Sequence, residues 1–202
     1  MVADFYTLSE NSHKQVLNVI RIYKEISGAE ISRITGFQPS TILYILRILD
    51  KKGFIHISRT GDSTQKGGKK PVLWKIRPGI GMMLGVEVFR NKLRYVKLDV
   101  AGNLYDKGEI LIRVPLSLEN AAQVLVSIIK DILTREELYS SAFMGVGIGL
   151  PGLVDSHQGL LQYSALLEVK NVNLGEQLTK KLGKPVYILN DANAGALSIS
   201  WY

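Results

Sequence analysis

The 202 residues contain no cysteine. Disulfides and thiolate metal sites are therefore excluded. Histidine is almost as scarce, at three, and His157 by itself cannot build a zinc site in the C-terminal part. No apolar run approaches the ~18–20 residues that span a bilayer. The N-terminal MVADFYTLSENSHK lacks the basic-then-apolar pattern of a signal peptide. A cytoplasmic location with no membrane partner is the default. Acidic residues are in short supply only at the start. Residues 1–80 hold 13 Lys+Arg against 6 Asp+Glu, whereas 81–202 hold 12 of each, so the whole net charge of +7 falls in the first 80. This asymmetry points to a basic module that meets polyanions, joined to a neutral one that does not. A solvated basic face is the competing reading.

What is present in the first part has helical period. Val16, Val19, Ile20 and Tyr23 recur at helical spacing within 12–26. Ser27-Gly-Ala-Glu30 reads as a capping box opening a short helix near 29–35, and Gly36 is a suitable left-handed terminator. A turn leads to a third helix from Pro39 or Ser40 to Lys51, with Ile42, Ile45, Leu46 and Leu49 as its apolar stripe. After Gly53 the period becomes two, over 54–58 and 72–76. Between these strands lies RTGDSTQKGGKKP, 59–71. Helix, short helix, turn, helix and a basic-tipped hairpin is the order of a winged helix-turn-helix domain, assigned here to residues 1–78.

Geometry then nominates residues. In such a domain the third helix enters the major groove and its N-terminal side chains meet base edges of double-stranded DNA. Those are Gln38, Ser40, Thr41 and Tyr44, with Arg47 one turn on. The hairpin's Arg59, Lys66, Lys69 and Lys70 are placed to neutralise phosphates or enter the minor groove. Helix capping is the competing role for Gln38, Ser40 and Thr41. His56, within a strand, reads as structural, and His13 as a surface residue.

RPGIG, 77–81, punctuates the chain. Beyond it, 82–88, 92–100 and 104–114 are β-patterned. Ser117 is placed to cap an amphipathic helix carrying Ala121, Val124, Leu125, Ile128 and Ile132. Then come a glycine-rich strand (144–150), a helix capped by Asn173 with Leu174, Leu178 and Leu182 on one side, and a strand at 186–189. The order is β-β-β-α-β-α-β over residues 79–202. Helical crossovers make the last strands parallel, and ligands gather at the C-terminal ends of such strands. Asn190 and Asp191 stand there, with capping of the next helix as their competing role. GIGLPG, 147–152, matches G-x-G-x-x-G, but Pro151 interrupts it and no helix pattern follows. A strand and tight turn fit better than a dinucleotide loop.

GVGIGLPGLVD (145–155) and LGKPVYILNDANAGAL (182–197) together resemble the ROK family of sugar kinases and sugar-responsive repressors. GGKKPVLWKI (67–76) resembles its repressor branch, and the resemblance runs from about residue 14 to 202. It implies an α+β / α/β protein, a winged helix-turn-helix head followed by one ribonuclease-H-like (actin-like ATPase) lobe. Asn190 and Asp191 match the family's sugar-contacting pair, whose aspartate is the base in the kinases. The family's kinases carry Asp-x-Gly-x-Thr after the first strand. Here GVEVFRN (85–91) puts Glu87, Phe89 and Asn91 at those places. Phosphate binding needs bare backbone N–H groups and a metal-organising oxygen. The sequence also stops eleven residues past Asp191, before the family's Glu-x-Gly-His contacts, Cys/His zinc site and second nucleotide loop. The expectation is a DNA-binding repressor of sugar-metabolism genes, dimeric on a palindromic operator, with a sugar or sugar derivative as effector. Neither catalysis nor a cofactor is expected. Two alternatives stand beside it: a shortened or partner-dependent subunit without its own sugar response, and a sugar kinase.

Overall fold

A short β-pairing decides how the first helix ends. The computed structural model describes residues 11–61, 70–114, 116–117 and 119–201, with side chains to 198. Helix α1 spans Asn11–Tyr23. It stops three residues before the expected point because Lys24 adopts φ 61° and Ile26–Ser27, strand β1, pairs with Trp74 and Leu73. Helix α2, Gly28–Thr35, opens on the capping box: Ser27 accepts from the Glu30 amide while Glu30 accepts from the Ser27 amide. Gly36 ends it at φ 74°. Helix α3, Pro39–Lys51, buries Ile42, Ile45, Leu46 and Leu49. Strands β2 (Ile55–Thr60) and β3 (Val72–Ile76) are antiparallel, giving a small sheet of order β1-β3-β2. One core joins these pieces, with Val16, Ile20, Ile31, Leu49, Phe54 and Ile55 fully shielded. Contrary to expectation His13 is not on the surface: it lies on the inward face of α1, 4% exposed.

The chain divides into two compact units. The first is Met1–Gly81 together with the turn Asp99–Asn103; the second is Met82–Leu98 with Leu104–Tyr202. The turn is fastened within the first unit. The Asp99 carboxylate accepts from the Gly79 amide and from both nitrogens of Asn103, and the Val100 amide donates to Ile80.

In the second unit, β4 (Met82–Val88), β5 (Lys92–Leu98) and β6 (Leu104–Leu111) form an antiparallel meander. Helices α4 (Ala121–Ile132) and α5 (Arg135–Tyr139) precede β7 (Phe143–Leu150), which runs parallel to β4. Strands β8 (Leu153–Asp155), β9 (Leu160–Ser164) and β10 (Val169–Val172) make a separate small sheet. Helix α6 (Leu174–Leu182) leads to β11 (Val186–Asn190), parallel to β7, and α7 covers Asp191–Trp201. The large sheet has the order β11-β7-β4-β5-β6. Its core is a single cluster in which the strands' inward side chains meet those of α4 and α6, Leu125, Ile129 and Leu178 among them.

The principal elements follow the expected order, with α5 and the small sheet inserted. The third strand ends at Leu111 rather than 114. Ser117 does not cap α4; Asn120 precedes the helix, and its side chain instead accepts from the Ser117 amide.

Candidate functional site

Pro39 stands in the first turn of α3 and Gln38 occupies its cap, but the Gln38 amide makes no capping bond. In α2, α5 and α6 the cap side chain accepts from the third helical amide. At α3 it does not. Gln38, Ser40, Thr41, Tyr44 and Arg47 are all exposed, and no side-chain hydrogen bond ties any of them to another described residue. Tyr44 is 60% exposed and Leu43 beside it 49%. The opposite face of the helix is wholly buried, so the apolar stripe itself aims these polar groups outward.

The hairpin is less uniform. Arg59 is bound to Glu25 through both Nε and Nη2, at 2.9 and 2.8 Å. That pairing, joined by the Ser58 hydroxyl, holds the Glu25 carboxyl below its ordinary range. The guanidinium is thus partly compensated, although exposed. Lys70 is exposed and has no such partner among the described residues. Lys66 and Lys69 lie outside the described residues.

In the second unit, Asn190 ends β11 and Asp191 begins α7. The Asn190 side chain does two things. Its Nδ2 donates to the Gly152 carbonyl at 2.9 Å, and its Oδ1 accepts from the Asn193 amide at 3.2 Å. Asp191 Oδ1 accepts from the Ala192 amide, leaving Oδ2 without a hydrogen bond to the described residues. So the pair does engage the first turn of the helix, and one carboxylate oxygen remains over. That oxygen belongs to a side chain lining an open cleft of about 500 Å³.

The cleft lies on the sheet face opposite α4 and α6. Gly85, Gly147 and Gly149 line it, with Glu87, Arg94 and Val96 to one side and Tyr187, Leu189 and α7 to the other. Gly147 has open space where a Cβ would stand, whereas a Cβ at Gly149 would meet the Asp191 Cα at 3.6 Å. Gly152 adopts φ 137°, and a Cβ there would lie 2.2 Å from the Tyr163 carbonyl. The glycines of the apparent nucleotide fingerprint therefore build a strand, a helix contact and a tight turn. No helix opens on them. Of the residues the sequence nominates, Asp191 lines this cleft, as do Gly147 and Gly149, whose lack of side chains allows close approach; Gly85, Arg94 and Tyr187 are not nominated by the sequence. The alternation of glycine at 145, 147 and 149 is the signal that places one bare face on β7.

The turn between β4 and β5 holds Phe89. Its ring lies 5.2 Å from the Arg94 guanidinium and 5.7 Å from the Lys92 ammonium. Both cations also bind Glu109, holding its carboxyl below the ordinary range. Among the described residues no group of three or more His, Cys, Asp or Glu side chains is placed to hold a metal ion. No described helix is long and apolar enough to cross a membrane.

A three-stranded meander followed by two parallel strands, with helical crossovers on one face, makes the second unit an α+β fold around one mixed sheet. Residues 83–202 match the model of the ROK family, and the chain belongs to that family. It is 27% identical over 187 residues to the xylose repressor of Caldicellulosiruptor bescii, a match covering 93% of this chain and 46% of the relative. It is 31% identical to the glucokinase of Thermotoga maritima over 121 residues, covering only 55% of this chain and 38% of the enzyme. Among solved structures, a ROK family transcriptional regulator, homolog of the E. coli Mlc protein, superposes with TM-score 0.68 at 25% identity. That match covers 92% of this chain and 48% of the other. The chain spans about half the length of the relatives it matches.

Proposed function

We propose that this chain is the DNA-binding part of a sugar-responsive ROK transcriptional repressor, working in the cytoplasm. The first unit acts as a winged helix-turn-helix head, and the second as the first lobe of a ribonuclease-H-like sugar-binding domain. The observation that carries the reading is α3: five polar side chains at and near its N-terminus point to solvent uncommitted, on a helix whose other face is buried. The match to a repressor over 93% of this chain, against 55% for a kinase, supports it. Arg47 and Lys70 supply phosphate contacts; Gln38, Ser40, Thr41 and Tyr44 meet base edges. Arg59 contributes less, because Glu25 already faces it. Two heads on a palindromic operator make the acting form a dimer.

Asn190 and Asp191 supply part of a sugar contact, the spare Asp191 oxygen accepting from a sugar hydroxyl. Effector and operator then act on each other with reciprocal coupling. Phosphoryl transfer is not part of this reading. An aromatic ring occupies the β4–β5 turn, and the nearby cations are engaged by that ring and by Glu109.

Fluorescence anisotropy on a labelled fragment from the gene's own upstream region, with random-sequence competitor, tests the proposal. Retained preference with a steep fall of log K against log salt is expected. Absence of binding at low salt overturns it for this chain alone.

A further inference from the structure

Helix α3 turns one aliphatic side chain away from the core. Ile42, Ile45, Leu46 and Leu49 are at most 2% exposed, whereas Leu43 is 49% exposed and is not part of the first unit's core. It is the fifth residue of the helix. Three residues after Ser40 and four before Arg47, it shares one exposed face with both, and Tyr44 stands beside it. Ser40, Thr41, Tyr44 and Arg47 present a hydroxyl or a guanidinium on the exposed side. Leu43 presents methyl groups only. Helix propensity does not demand this, since lysine, glutamine or glutamate serves an exposed helical position about as well. A lone leucine on a surface is ordinary. One on the face that meets base edges is different, because binding strips its water and it then needs an apolar partner.

We propose that Leu43 reads the C5 methyl group of a thymine in the operator, once in each half-site. This rests on the reading of α3 as the helix that enters the major groove. All four bases offer hydrogen-bonding groups there, but thymine alone adds a methyl group. Against thymine, methyl meets methyl and water leaves both. Against cytosine, the same leucine covers an N4 amino donor and gives it no acceptor, which costs free energy. The polar neighbours on the helix hold the register by bonding to phosphates and base edges. Leu43 then selects T·A over C·G at one position without making a hydrogen bond.

Uracil interference on the labelled upstream fragment tests this with the full chain. Thymine is replaced at random by uracil, which keeps every hydrogen-bonding group of the base and lacks only the methyl. Bound and free fragments are separated, and cleavage at uracil reports which thymines binding required. With the parent chain, thymines at symmetry-related positions are expected to resist replacement. One such change in a synthetic duplex is expected to weaken binding about fourfold, the effect of one buried methyl. Leu43→Ala is expected to bind the unmodified duplex several-fold more weakly and to treat thymine and uracil alike at that position. Its salt slope stays unchanged, because no phosphate contact is touched. Its melting temperature stays within about two degrees of the parent's, since the side chain is half exposed and alanine suits a helix. Tyr44→Phe keeps the discrimination. Uracil tolerated at every thymine of a fragment still preferred over random sequence overturns this inference and leaves the head standing. Discrimination that survives Leu43→Ala in a folded chain does the same. Binding without sequence preference also overturns it, and absence of binding at low salt overturns both readings.

Discussion

At the scale of single residues, Gln38 and Glu30 illustrate two fates of a polar side chain at a helix start. Glu30 is spent locally. Bonds from the Ser27 hydroxyl and then the Ser27 amide hold its carboxyl below the ordinary value of 4.5. A depressed carboxylate stabilises the fold above its unfolded value, and that contribution disappears as pH falls through the lower folded value. Glu30→Gln keeps the bonding geometry but removes the charge. Urea melts are therefore expected to show the variant weaker than the parent at pH 7 and the two indistinguishable near pH 3. The Gln38 side chain, by contrast, makes no hydrogen bond to another described residue. Gln38→Ala is expected to leave the melting temperature within a degree or two. Its cost falls on operator preference, by about 1–3 kcal/mol, with the salt slope unchanged. Anisotropy on specific and random fragments at three salt concentrations checks both parts.

At the scale of elements, the helices of the first part were readable because their signals are local. Ser27 and Glu30 are three apart, Gly36 closes the helix, and the α3 stripe repeats every three or four residues. Thr134 and Glu137 carried the same capping signal for α5, which went unread because only five helical residues follow. Strands β8 to β10 left little trace, since three- to five-residue strands at the surface show almost no period. The end of α1 depended on pairing with β3, some fifty residues away, and no local pattern reports that. The candidate site divides the same way. The Asn190–Asp191 pair was visible at a strand end, whereas its tie to the Gly152 carbonyl is a tertiary contact. That tie makes the glycines unequal. Gly152→Ala forces the turn against β9 and is expected to lower stability by several kcal/mol and loosen Asn190. Gly147→Ala meets open space and is expected to change stability by less than about 1 kcal/mol while narrowing the cleft floor. Thermal melts of the two variants distinguish a turn from a floor.

At the scale of the whole molecule, two separate hydrophobic clusters sit in two units. Leu49, fully buried, belongs to the first cluster alone. Leu49→Ala is expected to cost about 2–5 kcal/mol there. Amide exchange should quicken in α1 to α3 and stay slow in β4, β7 and α4, a contrast that mass spectrometry of peptic fragments reads directly. Yet the units are not consecutive along the chain. The five residues from Asp99 to Asn103 belong to the first unit although seventeen residues of the second precede them. The Asp99 carboxylate, 1% exposed, receives the Gly79 amide inside that unit. On the ribosome, then, the first unit is expected to stay open until β4, β5 and the β5–β6 turn have emerged, and a gene cut after residue 81 is expected to release that unit with an open seam.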